Sequence, residues 1–249
     1  FNSYSYKKLF LISLVLVFCT PILPQLLKII SIALFLVICI TESIKNKPKF
    51  KWEYFLFNAG LYLMYVFSLL YSKDLEYGLR KVEISAALVV FPLGFALISK
   101  DLITHAIKNL KLFFYVFISA ILVLNIFVFS SFLSAGYDVS SFGEYADFVN
   151  RIEGFPAVHS IYLSMYNAIA VILIFYLLRT ERLLKAGIPL IIIGSVLCLG
   201  LILLLKKGPI FGLVLVATLL AIKYKMWRVW AFYTVFTASL VATLFLFPD

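Results

Sequence analysis

The sequence predicts an all-α fold: a polytopic bundle of about nine transmembrane helices, with the N-terminus in the cytoplasm. Three observations predict it. Of 249 residues, 64% are hydrophobic and the mean hydropathy is +1.07, against roughly 45–50% apolar residues in a soluble domain. A chain of this length cannot hide that surface in its own interior, so lipid must be the solvent for most of it. Apolar runs close to the ~20 residues needed to cross hydrocarbon also recur along the whole chain. Finally, the basic residues sort onto alternate breaks between those runs.

The runs place helices at 7–21, 25–42, 52–71, 84–99, 112–133, 159–178, 187–205, 210–222 and 229–247. Lys7-Lys8 before the first run resembles a signal peptide, but a second long run follows at once and no small-residue cleavage site is evident. Pro21 and Pro24 bracket the first turn, where they end one helix and begin the next. The polar stretch Ser134 to Val158 carries Gly136, Ser140, Ser141, Gly143, Gly154 and Pro156, which is loop chemistry. No internal repeat or low-complexity tract divides the chain, so 1–249 reads as a single transmembrane domain. It lacks a Met at position 1 and ends directly after an apolar run. It therefore reads as the N-terminal part of a longer protein.

Charge orients the helices. With Lys7-Lys8 inside, the cytoplasmic segments collect Lys45, Lys47, Lys49, Lys51, Lys100, Lys108, Lys111, Arg179, Arg182, Lys185, Lys223, Lys225 and Arg228 as well. Of the acids, Glu42, Glu53, Asp101 and Glu181 fall inside, and the other eight lie outside. The net charge of +10 thus has a membrane origin, and no nucleic-acid partner is expected. Cys19, Cys39 and Cys198 lie widely spaced inside apolar runs, as small core residues do. No stretch has metal-ligand spacing, so neither a metal nor a cofactor is expected.

Seven basic residues fall on the outer side. Lys28 can snorkel from the first turn of the second helix, and Lys73 beside Asp74 reads as a solvated loop charge. Arg80 and Lys81 read either as a solvated amphipathic lead-in paired with Glu76 or Glu83, or as an anion site at a helix mouth. Lys206-Lys207-Gly208-Pro209 reads either as a tight hairpin in the headgroups or as cations sunk toward a site. Arg151 and Glu153 precede His159, which shares a helix face with Tyr162 and Tyr166. His105, beside cytoplasmic lysines, reads as solvated.

These segments resemble the bacterial O-antigen ligase and O-antigen polymerase superfamily. The resemblance is carried by Gly78-Leu79-Arg80-Lys81-Val82-Glu83 followed by Phe91-Pro92-Leu93, by His159-Ser160-Ile161-Tyr162-Leu163-Ser164, and by Lys206-Lys207-Gly208-Pro209. It covers essentially the whole chain. It departs from the family's pattern at Lys207, where an Arg is usual, and at Ser160, where a proline is common.

The resemblance implies a metal-independent glycosyltransferase of the bacterial inner membrane. Such an enzyme transfers a glycan from an undecaprenyl-diphosphate carrier to a glycan or lipid acceptor on the outer face. The implied diphosphate and glycan contacts are Arg80, Lys81, Arg151, Tyr162, Lys206 and Lys207. His159 and Glu153 are implied as catalytic, and a further base is expected on an external loop after Asp249. Two other classes remain open: a transporter or flippase of lipid-linked oligosaccharide, and a non-catalytic scaffold of envelope polysaccharide assembly.

Overall fold

In the computed structural model, eleven α-helices and no strand occur among the described residues, which are 3–152, 158–180, 187–204 and 206–224. In chain order the helices are α1 Ser3–Phe18, α2 Gln25–Asn46, α3 Trp52–Ser68, α4 Leu75–Ile84, α5 Ala87–Leu97, α6 Lys100–Lys108, α7 Leu110–Ser134, α8 Tyr145–Arg151, α9 Ser160–Thr180, α10 Ile188–Leu204 and α11 Lys207–Tyr224. The sequence offered no internal boundary, but packing divides the chain into two compact units, Phe1–Phe113 and Phe114–Asp249.

Four helical segments are long and apolar enough to cross a membrane: Gln25–Asn46, Trp52–Tyr71, Leu110–Ser134 and Ser160–Arg179. A fifth is reached if α5 and α6, bent by 113° at their junction, count as one broken span. The chain is thus a helical membrane protein with four or five such spans among the described residues. α10 is apolar but has only 17 residues, about 26 Å at 1.5 Å per residue, a little short of a ~30 Å hydrocarbon core. The predicted helix at 229–247 lies outside the described residues.

The predicted helix at 84–99 is trimmed to α5. Two amphipathic helices flank it, α4 where the sequence read an amphipathic lead-in or a helix mouth, and α6 between two predicted helices. The reason is local capping. The Asp74 carboxylate accepts the Tyr77 N–H at 2.9 Å and starts α4. The Ser99 hydroxyl accepts the Leu102 N–H at 3.4 Å and starts α6. Asp101 in the first turn of α6 and Lys108 in its last complement the helix dipole. Counting unbroken apolar residues misses such helices, because four of the ten residues of α4 and three of the nine of α6 are charged.

In the first unit α2 packs against α1 and α5, and α3 packs against α4 and α5. Fully buried Phe35 of α2 sits among Phe10, Phe91 and Phe95, with ring centroids 6.1, 5.4 and 5.5 Å away. That packing depends on Gly94, where a Cβ would stand 2.5 Å from the Phe35 ring. α3 turns most of its apolar surface outward, with Phe57 88% exposed, as a lipid-facing helix does. In the second unit α9 is the central helix, packed on α10 and α11. Its Val171, Ile174 and Leu177 form a buried cluster with Ile118 and Ile121 of α7 and Leu197 and Leu201 of α10.

Candidate functional site

The second unit draws several of the predicted site residues to the junction of α8 and α9. α8 is short, and it is anchored from beneath by Tyr145 and Val149, 2% and 1% exposed. Tyr145 lies edge-on to Phe132 at 5.2 Å, and burial pushes its phenol up to about 12. Arg151 is exposed at the end of this anchored helix. Its neighbour Asn150 accepts the Ser160 N–H at 2.8 Å through Oδ1. That bond satisfies one of the open donors at the start of α9 and ties Arg151 to the mouth of the helix that carries His159.

His159 is the residue that caps α9. Its carbonyl accepts the Leu163 N–H at 3.1 Å, and its Nδ1 accepts the Ile161 N–H at 3.3 Å. The second bond assigns the tautomer, because a neutral ring that accepts at Nδ1 carries its proton on Nε2. His159 therefore presents an N–H donor outward and has no free ring lone pair. Tyr162 stands edge-on to it, 6.2 Å between ring centroids, and is 56% exposed. Glu153 lies outside the described residues.

The buried polar residues of α9 lie on a different face from His159, Tyr162 and Tyr166. They are Ser160, Ser164 and Asn167, each fully buried and spaced one helical turn apart. Asn167 and Asn125 of α7 exchange amide hydrogen bonds, 2.7 Å in one direction and 3.1 Å in the other. Asn125 also donates to the Ile121 carbonyl at 2.8 Å. Gly200 of α10 makes room for the pair, since a Cβ there would fall 2.8 Å from Asn125 Oδ1 and 2.9 Å from Asn167 Nδ2. The hydroxyls of Ser160 and Ser164 are buried with no hydrogen-bond partner among the described residues. A cavity of about 160 Å³ adjoins this layer and is lined by Asn125, Phe129, Tyr145 and Gly200. The sequence signal available was for each amide alone, a polar residue inside an otherwise apolar run where an unpartnered one would be costly.

The remaining predicted contacts lie on other elements. Arg80 and Lys81 are exposed on α4 in the first unit. Neither expected Arg80–Glu76 nor Arg80–Glu83 ion pair forms among the described residues. Lys81 Nζ lies instead over the Tyr77 ring, 5.1 Å from its centroid. Lys206 is half-buried and directly precedes α11, and exposed Lys207 begins it. Gly208 and Pro209 do not turn the chain here. They lie in the first turn of α11, with the Ile210 N–H donating to the Lys206 carbonyl at 3.4 Å. A proline fits there because first-turn N–H groups have no partner within the helix.

One polar cluster had no place in the sequence reading. Glu42, 2% exposed on α2, accepts the Ser99 N–H at 3.3 and 3.2 Å through its two oxygens and the Asn46 amide at 3.1 Å. Lys51, just before α3, donates from Nζ to the carbonyls of Phe95 at 3.3 Å and Ile98 at 2.7 Å. Glu42 thus holds the start of α6 and Lys51 the end of α5, so the 113° break is closed on both sides by charge. Burial pulls the Lys51 amine below its ordinary value, against the opposing pull of Glu42. Among the described residues no group of three His, Cys, Asp or Glu side chains is placed to hold a metal. The chain matches no family model, no curated protein and no solved structure.

Proposed function

We propose that the protein transfers a glycan from an undecaprenyl-diphosphate carrier to an acceptor at the outer face of a bacterial inner membrane, with its N-terminus in the cytoplasm and about nine transmembrane helices in this chain. The observation that carries this reading is the α8–α9 junction. There an exposed arginine ends α8 and a histidine caps α9, the two helices being joined by the Asn150–Ser160 hydrogen bond, in segments that resemble the O-antigen ligase and polymerase superfamily.

In the proposed reaction an acceptor hydroxyl attacks the anomeric carbon, the carbon–oxygen bond to the diphosphate breaks, and the electron pair leaves on the diphosphate. Charge therefore grows on the leaving group, where cations and N–H donors stabilise it. Arg151 and the Nε2–H of His159 suit that work, with Tyr162 beside them; Arg80, Lys81, Lys206 and Lys207 are the further cations proposed for the carrier. With its Nδ1 turned to the Ile161 N–H, the Nε2–H of His159 suits a donor's part toward the diphosphate. The acceptor's proton then goes to another group, with Glu153 the candidate that the sequence offers.

The bend between α5 and α6 favours transport of the carrier lipid as a second reading, since transporters build their sites from broken helices near the membrane midplane. This break is closed by Glu42 and Lys51 and is surrounded by lysines, which suits a span ending at the surface. The test is surface glycan in cells carrying Arg151→Ala or Arg80→Ala, with insertion checked by membrane fractionation. Loss of attached glycan at normal protein level is expected, and normal display in both variants would overturn the enzyme reading. Which product disappears separates ligase from polymerase: all attached glycan for the first, all but single repeats for the second.

A further inference from the structure

Charge in the first unit is concentrated at one end. The start of α1, the end of α2, the start of α3, the whole of α6 and the start of α7 carry nine lysines, 7, 8, 45, 47, 49, 51, 100, 108 and 111. Three carboxylates accompany them, Glu42, Glu53 and Asp101. At the opposite end Lys28, Lys73, Arg80 and Lys81 are nearly balanced by Asp74, Glu76 and Glu83. Two of the three acids at the basic end are already engaged. Glu42 is buried on Ser99 and Asn46, and Asp101 pairs with Lys7 at 2.7 Å.

The shape of this end is as specific as its charge. The 113° bend takes α6 off the axis of α5 and packs it on α1. α6 buries Leu102 and Ala106, 3% and 9% exposed, and turns Lys100, Thr104 and Lys108 outward as one stripe. Ile107, 62% exposed, flanks that stripe, so the outer surface of the helix is both cationic and apolar. Nearby, Phe50, Trp52 and Phe55 form an edge-to-face cluster with centroids 4.6 to 6.3 Å apart, and Trp52 is 63% exposed. Aromatic groups of this kind settle at the level of lipid headgroups.

We propose that α6, together with Lys8 and the α2–α3 link carrying Lys47 and Lys49, is an interfacial shelf that binds anionic phospholipid headgroups. An amphipathic helix with lysines outward, an exposed isoleucine beside them and an aromatic anchor at the same level fits a bilayer surface. Each lysine near an anionic leaflet adds attraction that falls off within a Debye length. Glu42 and Lys51 hold the shelf at its angle from beneath, so it needs no lipid to form.

The test reconstitutes the full chain in phosphatidylcholine bilayers holding a trace of spin-labelled phosphatidylglycerol or of spin-labelled phosphatidylcholine, and compares how much of each label the protein immobilises. A preference of roughly three-fold for phosphatidylglycerol is expected at low salt, falling to parity at about 1 M salt. The Lys8→Gln/Lys100→Gln/Lys108→Gln chain should lose most of the preference and the matching Lys→Arg chain should keep it. A control with Lys223→Gln and Lys225→Gln should also keep it. Inorganic phosphate should displace the lipid no better than chloride at equal ionic strength. The proposal is overturned by equal immobilisation of the two lipids on the unmodified chain, by a preference that survives high salt, or by one lost in the control instead. Specific competition by phosphate would likewise overturn it, since that outcome describes a small anion pocket and not a lipid surface.

Discussion

The two units bury polar groups inside apolar helices by different means. In the first, a carboxylate and an amine close the ends of two helices, Glu42 at the start of α6 and Lys51 at the end of α5. In the second, two neutral amides close on each other within the helices, Asn125 with Asn167. The difference follows from what each position requires. Helix termini present open N–H and C=O groups carrying partial charge, and an ion satisfies them well near a surface. Inside a span a lone charge would be costly, whereas a reciprocal amide pair leaves few polar atoms unsatisfied. One unit therefore gains a fixed bend, and the other gains registry between three helices.

The largest effect expected from this comparison is at Glu42. Glu42→Ala strands the Ser99 N–H and the Asn46 amide, both partnered by this carboxylate. A loss of roughly 3 kcal/mol is expected, hydrogen bonds to a charged acceptor contributing about 1.5–3 kcal/mol each. Thermal unfolding in detergent measures it, and Glu42→Gln should recover about half, because one acceptor oxygen remains. If the alanine variant melts with the unmodified chain, the ionic closure of the break is not what holds α6.

Next is Gly200→Ala in the second unit, where the added methyl would stand within 3 Å of both amides. About 2 kcal/mol of destabilisation is expected, typical of overpacking a tight core. The cost should fall sharply in a chain that already carries Asn125→Ala and Asn167→Ala, because the methyl then meets open space. An unchanged cost in that background would show that Gly200 is needed for helix packing alone.

Much of the architecture could be read from the sequence because apolar run length is a strong signal. Eight of the nine predicted runs coincide with α1, α2, α3, α5, α7, α9, α10 and α11 to within a few residues. What could not be read was amphipathic or pairwise. α4 and α6 announce themselves through Asp74 and Ser99 as caps, signals that a search for apolar runs passes over. Pairing of Asn125 with Asn167 spans 42 positions, and nothing in one sequence says that two distant amides face each other. The site was legible to a similar degree. His159, Tyr162 and Arg151 were singled out by their place at a helix mouth, but neither the Asn150–Ser160 bond that joins α8 to α9 nor the Ile161–His159 bond that orients the ring was.

A smaller effect sharpens the amide half of the comparison. A double-mutant cycle between Asn125→Ala and Asn167→Ala should give a coupling of about 0.6 kcal/mol, the average for hydrogen bonds between membrane helices, and not above about 1.7. Ser164→Ala should do less still. Its hydroxyl is buried without a partner among the described residues, so removing it is expected to be neutral or slightly stabilising, whereas a well-bonded serine would cost about 1 kcal/mol. A clear loss at Ser164 would mean that the hydroxyl works in the protein through a partner that joins it in the membrane.

The smallest expected effect concerns the exposed ion pair at the basic end. Lys7 donates to Asp101 and holds its carboxyl below the ordinary carboxylate value. A depressed carboxylate contributes its stability above the unfolded value, and loses it as pH falls through the lowered folded value. Because the pair lies in solvent, its contribution is small and screened by salt. The melting-temperature difference between the unmodified chain and Lys7→Ala should therefore be slight at neutral pH and vanish in acid below the carboxylate range. At neutral pH it should also shrink with added salt. A difference that persists in acid would assign the contact between α1 and α6 to the apolar packing of Phe10 on Leu102 and Ala106, leaving Glu42 as the charge that governs how α6 lies.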